Sequence, residues 1–367
     1  MEEKDMRLIE PAPQIHHPDS TARIMWAVTL SLVPAGVWGV YVFGARVIAV
    51  LAVSILSAMV AEFLMARMLG KENTLFDGSA FLTGLLIGFN LPPSIPYFIP
   101  VLASLFAIVI VKWTFGGLGS NWMNPALAGR VFVFFSWTGH MTNWTMPRTM
   151  NAVDSVSGAS VLGFIKTGLI DYQGEPKGPM QYLNSNGYPQ SSTDVAVTDW
   201  LRGIFGENVG GGYWDLFMGN IPGCIGEISA LLLLLGAAYL FYRKIISWET
   251  PVSYLLVFSV LVWIFGGLPF NAGFFQGNIL FHLLSGGLML GVFYMATDMV
   301  TSPLTRKGML IFGAGVGFLT FLIRVYGSFP EGVSLAIILM NIFVPMINRY
   351  TQEPVFGTTK DEKGNAA

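Results

Sequence analysis

From position 24 to 348 the chain is a succession of apolar stretches, broken once by a long polar interval at about 138–221. A helix needs about 20 apolar residues to cross a bilayer. In hydrocarbon every backbone N–H and C=O must be satisfied within the protein, so apolar runs of this kind become helices. Only 11% of the residues are charged and 53% are hydrophobic, against about 25% charged in a soluble domain. Such a chain cannot cover a water-facing surface. The pattern predicts an all-α polytopic membrane protein, with spans at 24–43, 47–68, 78–91, 97–115, 125–137, 222–242, 251–265, 279–295, 309–326 and 332–348.

Cations near the span ends set the expected orientation. With an even number of spans, Arg67, Lys71, Arg243, Lys244, Arg306, Lys307 and Arg349 all fall on one side. The opposite connections, 90–96 and 266–278, carry no Lys or Arg. Both termini are therefore expected in the cytoplasm, and the long loop on the outward face. Glu2, Glu3 and Asp5 stand where a signal peptide would be positive, so none is expected.

The apolar runs also repeat. Residues 78–88 resemble 282–291, and after one further span each half carries a cation, Lys112 in the first and Arg324 in the second. Five spans per half require opposite topologies. The expectation is two inverted five-helix repeats of about ten spans, a mark of transporter-like folds. The organisation is then a cytoplasmic segment 1–23, repeats 24–137 and 222–349, a loop 138–221 between them, and a tail 350–367. Within the loop, 171–194 is rich in Gly, Pro, Ser, Gln and Asn and reads as a surface excursion.

Some chemistries are excluded. No Lys/Arg cluster supports nucleic-acid binding. The single cysteine, Cys224, cannot build an iron–sulfur or zinc site and reads as a packing residue. The four histidines are scattered, without metal spacing.

The loop opens on Asp154-Ser155-Val156-Ser157-Gly158-Ala159-Ser160. A small, hydroxyl-rich turn is poor material for a span and good material for offering a hydroxyl to a modifying enzyme. A flavin transferase joins FMN through its phosphate to such a hydroxyl. Gly158 and Ala159 would let the acceptor enter an active site, Asp154 would position metal or phosphate, Ser160 is the expected acceptor and Ser157 the fallback. On these residues alone, flavinylation and an ordinary loop stand equally open.

The second constellation is ionisable: Glu62, Lys112, Arg130, Glu227, Asp298, Arg324 and Glu331 lie in or at the ends of spans. A charge in the hydrocarbon centre costs about 2.5–3.5 kcal/mol on insertion scales, so such groups keep partners or water. Glu62 and Arg67 are expected to snorkel to headgroups. Lys112 and Arg324 are expected to form ion pairs across the pseudo-symmetry. Asp298 is the expected ion-site carboxylate, and Glu331 a further candidate. The glycine-rich 116–120, ahead of Asn124-Pro125, reads as an anion cradle, for a second, non-covalent flavin such as riboflavin or for packing against a partner subunit, or equally as close helix packing.

Several blocks carry a family resemblance. They are Pro13-Gln14-Ile15-His16, Asp19-Ser20-Thr21, Gly116-Gly117-Leu118-Gly119-Ser120-Asn121-Trp122-Met123-Asn124-Pro125-Ala126-Leu127-Ala128-Gly129-Arg130, Gly219-Asn220-Ile221-Pro222-Gly223, Met295-Ala296-Thr297-Asp298, Leu322-Ile323-Arg324 and Phe329-Pro330-Glu331-Gly332. Over nearly its whole length the chain resembles RnfD, the D subunit of the Rnf electron-transport complex. More distantly it resembles NqrB, the B subunit of the sodium-pumping NADH:quinone oxidoreductase, which usually carries a longer segment before its first span. The resemblance implies a ten-helix subunit of an ion-translocating ferredoxin:NAD oxidoreductase, with covalent FMN in the outward loop. It implies other membrane and iron–sulfur subunits as partners and a flavin transferase for maturation. The family's acceptor is commonly Thr where this chain has Ser160. The rival readings are the quinone-reducing relative and a small-solute channel or transporter, which would carry no chromophore.

Overall fold

The computed structural model describes residues 20–71, 74–150, 157–169, 178–205, 210–327, 329 and 332–352. Asp154 and Glu331 lie outside the described residues, as does the side chain of Ser157.

Five helices are long and apolar enough to cross a membrane. They are α1 (Thr21–Phe43), α2 (Arg46–Met68), α12 (Glu249–Phe265, extended by a 3-10 turn to Phe270), α15 (Arg306–Val325) and α16 (Val333–Thr351). Shorter apolar helices are α3 (Ser79–Phe89), α4 (Phe98–Leu105, running on as a π-helical Phe106–Trp113), α5 (Pro125–Ser136) and α11 (Ala230–Tyr242). The apolar run at 279–295 is interrupted: α13 (Ile279–Leu284) stops at Ser285, and α14 (Leu288–Leu290) continues as a π-helical Gly291–Met295. The chain is a multi-pass membrane protein.

The helix starts follow from short polar residues. Ser20, Asn124, Ser229, Asn278 and Thr305 each accept a backbone N–H with the side-chain oxygen at an N-cap. Close packing relies on glycine. At Gly84 an added Cβ would stand 2.6 Å from Ile55 Cα and 2.9 Å from Ser54 O, so α3 lies directly on α2. Gly84→Val should therefore destabilise the bundle by about 1–3 kcal/mol, the usual cost of overpacking. Detergent unfolding curves measure this, and an unchanged midpoint would contradict the packing.

Two stretches of irregular backbone lie inside the bundle. The segment following α3 and the segment preceding α11 bond to each other, with Ile225 N–H donating to Leu91 O at 3.1 Å and Gly226 N–H to Phe89 O at 3.0 Å. Leu91, Cys224 and Ile225 are fully buried. Non-helical backbone at membrane depth is tolerated when protein covers it. The expected span at 222–242 accordingly becomes helical only from Ala230.

The loop is more ordered than its composition suggests. Trp144–Thr145 (β1) pairs antiparallel with Ser157–Gly158 (β2), and α6 (Thr138–Met141), α7 (Val161–Leu169), α8 (Pro179–Ser185), α9 (Ser192–Phe205) and α10 (Tyr213–Met218) fill out the rest. The expected surface excursion holds a core instead. Met180, Tyr182 and Leu183 are buried, and so is Asp194. Asp194 caps α10 by accepting N–H bonds from Gly212 at 2.7 Å, Trp214 at 3.0 Å and Asp215 at 3.2 Å. Asp215 in turn accepts from Ser191 N–H at 2.8 Å, and burial pushes its carboxyl above the usual range. Polar residues at helix starts made this segment look like coil.

The loop helices pack on one end of the bundle, where α8 meets the turn after α12 through Tyr182 and Phe270. The described chain begins and ends at the opposite end. There α1 touches the α2–α3 connection (Trp26 Nε1 to Phe76 O, 3.5 Å), and α16 meets the start of α15 (Thr351 with Thr305, 2.8 Å).

Candidate functional site

Ser160 sits at the N-terminus of α7. Its hydroxyl accepts Gly163 N–H at 3.1 Å, and its carbonyl accepts Phe164 N–H at 2.8 Å, the bonding of an N-cap residue. Just ahead of it, β1 holds Ser157 and Gly158 in register against Thr145 and Trp144. Ala159 is exposed, and its carbonyl accepts the Tyr188 hydroxyl at 3.4 Å. Burial and the nearby Asp215 carboxylate push that phenol above its ordinary range, so it stays a donor. Tyr188 also meets Phe164 edge-on at 5.3 Å, binding α7 to the loop core.

The Ser160 side chain faces the membrane halves. It is 7% exposed and lines a cavity of about 10 Å³ with Pro222, Gly223, Glu227 and Gly286. Two helix interruptions therefore converge on it, one before α11 and one between α13 and α14. The chemistry suits the phosphoester end of an FMN. An oxygen at an N-cap stands where unpaired N–H groups and a partial positive charge favour an anion. A cavity of this size holds about one water, so a flavin ring is not accommodated within it.

Lys166, in the last turn of α7, is a residue the sequence reading missed. Its ammonium donates to the carbonyls of Ile323 (3.2 Å), Gly327 (2.5 Å) and Phe329 (2.6 Å), closing the C-terminal end of α15. Burial, and after it the Arg324 guanidinium, lower its pKa to about 8. The only trace in the sequence is one cation in the otherwise apolar and neutral run Val161-Leu162-Gly163-Phe164-Ile165-Lys166.

The other candidates fall into separate places. Glu62 is not a snorkelling surface group. It is fully buried and accepts Lys112 Nζ at 2.8 Å, Thr74 Oγ1 at 2.7 Å and Trp113 Nε1 at 2.9 Å. The connection between α2 and α3 and the end of the π-helical segment cover it, which its place near the C-terminal end of α2 did not reveal. Lys112 also donates to Ser79 Oγ at 2.8 Å. Its bonds stay within the first half and do not cross the pseudo-symmetry. Arg324 donates to His282 O at 2.6 Å and lies over the Phe258 ring at 5.5 Å, two contacts in its own half. Lys112 thus reaches the first residue of α3, and Arg324 the last turn of α13.

Asp298 is half-buried and accepts the Thr301 hydroxyl at 2.9 Å. It lines a cavity of about 110 Å³ at the end opposite the loop, together with Lys112, Asn121 and Asn124. Leu118, from the glycine-rich 116–120, lines the same space. The cradle expected there is partly filled by the protein, because Asn124 Oδ1 accepts Leu127 N–H at 3.2 Å. Asn124 Nδ2 donates to Met295 O at 3.3 Å, so the Asn124 and Met295 sequence blocks meet between the halves. Asn341, with its amide turned to face a donor, accepts Asn124 N–H at 3.1 Å and donates to Thr301 O at 3.2 Å. Arg130 reaches Ser334 and the Cys224 sulfur, and the Cys224 thiol donates to Asn90 O at 3.3 Å. Cys224, read from the sequence as a small apolar residue at a helix start, lies fully buried in the irregular segment ahead of α11 and is polar-bonded there.

The profile of the NQR2, RnfD, RnfE family matches residues 8–357. The chain belongs to that family. Among its relatives, the D subunit of the proton-translocating ferredoxin:NAD(+) oxidoreductase complex of Clostridium ljungdahlii is 40% identical, over 97% of this chain and 98% of the relative. The D subunit of the Na(+)-translocating ferredoxin:NAD(+) oxidoreductase complex of Acetobacterium woodii is also 40% identical, over 97% and 96%. The D subunit of the ion-translocating oxidoreductase complex of Stutzerimonas stutzeri is 35% identical, over 92% of each. Family membership thus spans both halves and the loop, including the Ser160 helix and the Asn124–Met295 contact.

Proposed function

We propose that the chain is the membrane-embedded D subunit of an ion-translocating ferredoxin:NAD oxidoreductase complex, holding FMN esterified through its phosphate to Ser160. The observation that carries this reading is the placement of the Ser160 hydroxyl at the N-terminus of α7, over two converging helix interruptions. The flavin, when bound, supplies one-electron chemistry that no side chain of the protein provides. With FMN bound, Ser160 would hold its phosphate at the N-terminus of α7, where Tyr188 fixes the neighbouring Ala159 carbonyl. Gly158 keeps the approach narrow: an added Cβ would stand 2.5 Å from Met146 Sδ. The partners are the other membrane and iron–sulfur subunits of the complex, with a flavin transferase for maturation.

The topology that suits this reading is about ten crossings in two inverted repeats. Both termini are cytoplasmic in a bacterial or archaeal inner membrane, and the loop faces outward. The even placement of the described ends and the cations at that end support it. Asp298 is then cytoplasm-facing and the leading candidate for ion entry, and its cavity is where a second, non-covalent flavin would be sought. Membranes lacking this chain should lose ferredoxin-dependent NAD⁺ reduction and recover it on re-expression. Unchanged reduction without the chain would contradict the role.

A further inference from the structure

At its loop-side end α1 borders an open groove of about 640 Å³, lined by Val40, Tyr41, Gly44, Ala45, Arg148 and Thr149. Leading up to it along the helix, Leu30, Val33, Val37 and Tyr41 are all exposed. Steps of three and four residues put them on one stripe, and on a membrane-spanning helix such a stripe faces lipid. From Leu30 to Tyr41 the stripe rises about 16 Å at 1.5 Å per residue, close to half of the roughly 30 Å hydrocarbon core. It matches one leaflet. Tyr41 ends it beside Trp38, the two rings 5.2 Å apart, and Trp and Tyr gather at the headgroup level of membranes.

Two arginines stand near this end of α1, and the protein treats them differently. Arg46 donates to Ser94 O at 2.9 Å and lies over the Tyr97 ring at 5.9 Å. The exposed Arg148 side chain makes no hydrogen bond or ion pair among the described residues. It is nonetheless held in place. Arg148 N–H donates to Val42 O at 2.9 Å, and the guanidinium lies against Gly44, where an added Cβ would overlap it. Gly44 has a φ of 90°, so it both turns the chain after α1 and leaves room for the guanidinium. No Asp or Glu lines the groove among the described residues. A planar guanidinium with five N–H donors matches the oxygens of a phosphate.

We propose that this groove is a phospholipid site: the Arg148 guanidinium takes the headgroup phosphate of an anionic lipid, and an acyl chain lies along Leu30, Val33 and Val37. A zwitterionic headgroup carries its own cation beside the phosphate, so an unpaired guanidinium favours a lipid of net negative charge, such as phosphatidylglycerol. The contact ties the first part of the loop to the leaflet on its own side. The inference is independent of the flavin.

The test uses the full complex reconstituted in phosphatidylcholine with increasing dibrominated phosphatidylglycerol, and reads quenching of a bimane on Val37→Cys. Native Cys224 is fully buried, and the chain without an added cysteine supplies the background. Bimane on Ile342→Cys, exposed on α16, reports bulk lipid and the integrity of the bundle. Quenching at position 37 should show a preference for phosphatidylglycerol of about fivefold, equivalent to ~1 kcal/mol for one cation near anionic lipid, with none at position 342. Arg148→Gln should abolish the preference. Gly44→Ala should weaken it with the charge intact, because the new Cβ displaces the guanidinium. Excess inorganic phosphate should leave it unchanged. A bimane at position 37 that no brominated lipid quenches would overturn the proposal, the groove then being covered by protein. So would a preference that survives Arg148→Gln, one that Gly44→Ala leaves at full strength, or one that inorganic phosphate removes, which would mark a site for free anions.

Discussion

If FMN is esterified to Ser160 as proposed, Ser160→Ala should abolish an ultraviolet-fluorescent band at this chain's mass on a denaturing gel, while Ser157→Ala and Ser160→Thr should retain it. Denaturation removes any flavin held by packing alone, so the band reports a covalent bond. Alanine lacks the oxygen that accepts Gly163 N–H, and losing an N-cap hydroxyl typically costs about 1 kcal/mol. That is too little to unfold the bundle, so loss of fluorescence would reflect chemistry rather than misfolding. Threonine keeps both the oxygen and the N-cap bond. Ser157 lies in β2, paired with Thr145, three residues before the helix start. A band persisting in Ser160→Ala would move the acceptor elsewhere.

Lys112→Met should destabilise the protein by about 3–5 kcal/mol, the range expected when one partner of a buried pair is removed. Glu62 is 0% exposed and Lys112 2% exposed, and the variant leaves the carboxylate with only Thr74 and Trp113 as donors. Glu62→Gln should be damaging for the converse reason, a buried ammonium facing a neutral amide. Combining Glu62→Gln with Lys112→Met removes both charges, so the double variant should lose much less than the sum of the two. A double-mutant cycle on unfolding midpoints in detergent measures the coupling. Additive losses would show that the 2.8 Å contact does not couple the two residues.

The helix positions were largely legible, because lipid-facing and buried faces of these helices are both apolar and the runs stand out. The expected 24–43 and 47–68 correspond to Thr21–Phe43 and Arg46–Met68. The interruptions were harder to read. Ser285-Gly286-Gly287 is small and uncharged and looks like continuing helix, yet Gly286 takes a left-handed φ of 64° and the run breaks there. The irregular stretch ahead of α11 is held by backbone bonds to Phe89 and Leu91 that no local pattern encodes. Glu62 was misread for a similar reason: its cation lies fifty residues on, at Lys112. At the candidate site the small-residue motif pointed to Ser160, but Tyr188 and Lys166 emerged only when the loop folded back on itself. The loop's own core was hidden by the polar caps, such as Asp194, that start its helices.

The central claim is tested most directly by trypsin digestion of the natively purified complex, since cuts after Arg148 and Lys166 release residues 149–166 as one peptide. Fragmentation of that peptide should place one FMN phosphoester on Ser160 and leave Thr149, Ser155 and Ser157 bare. Recovery of the peptide wholly without flavin would contradict the account.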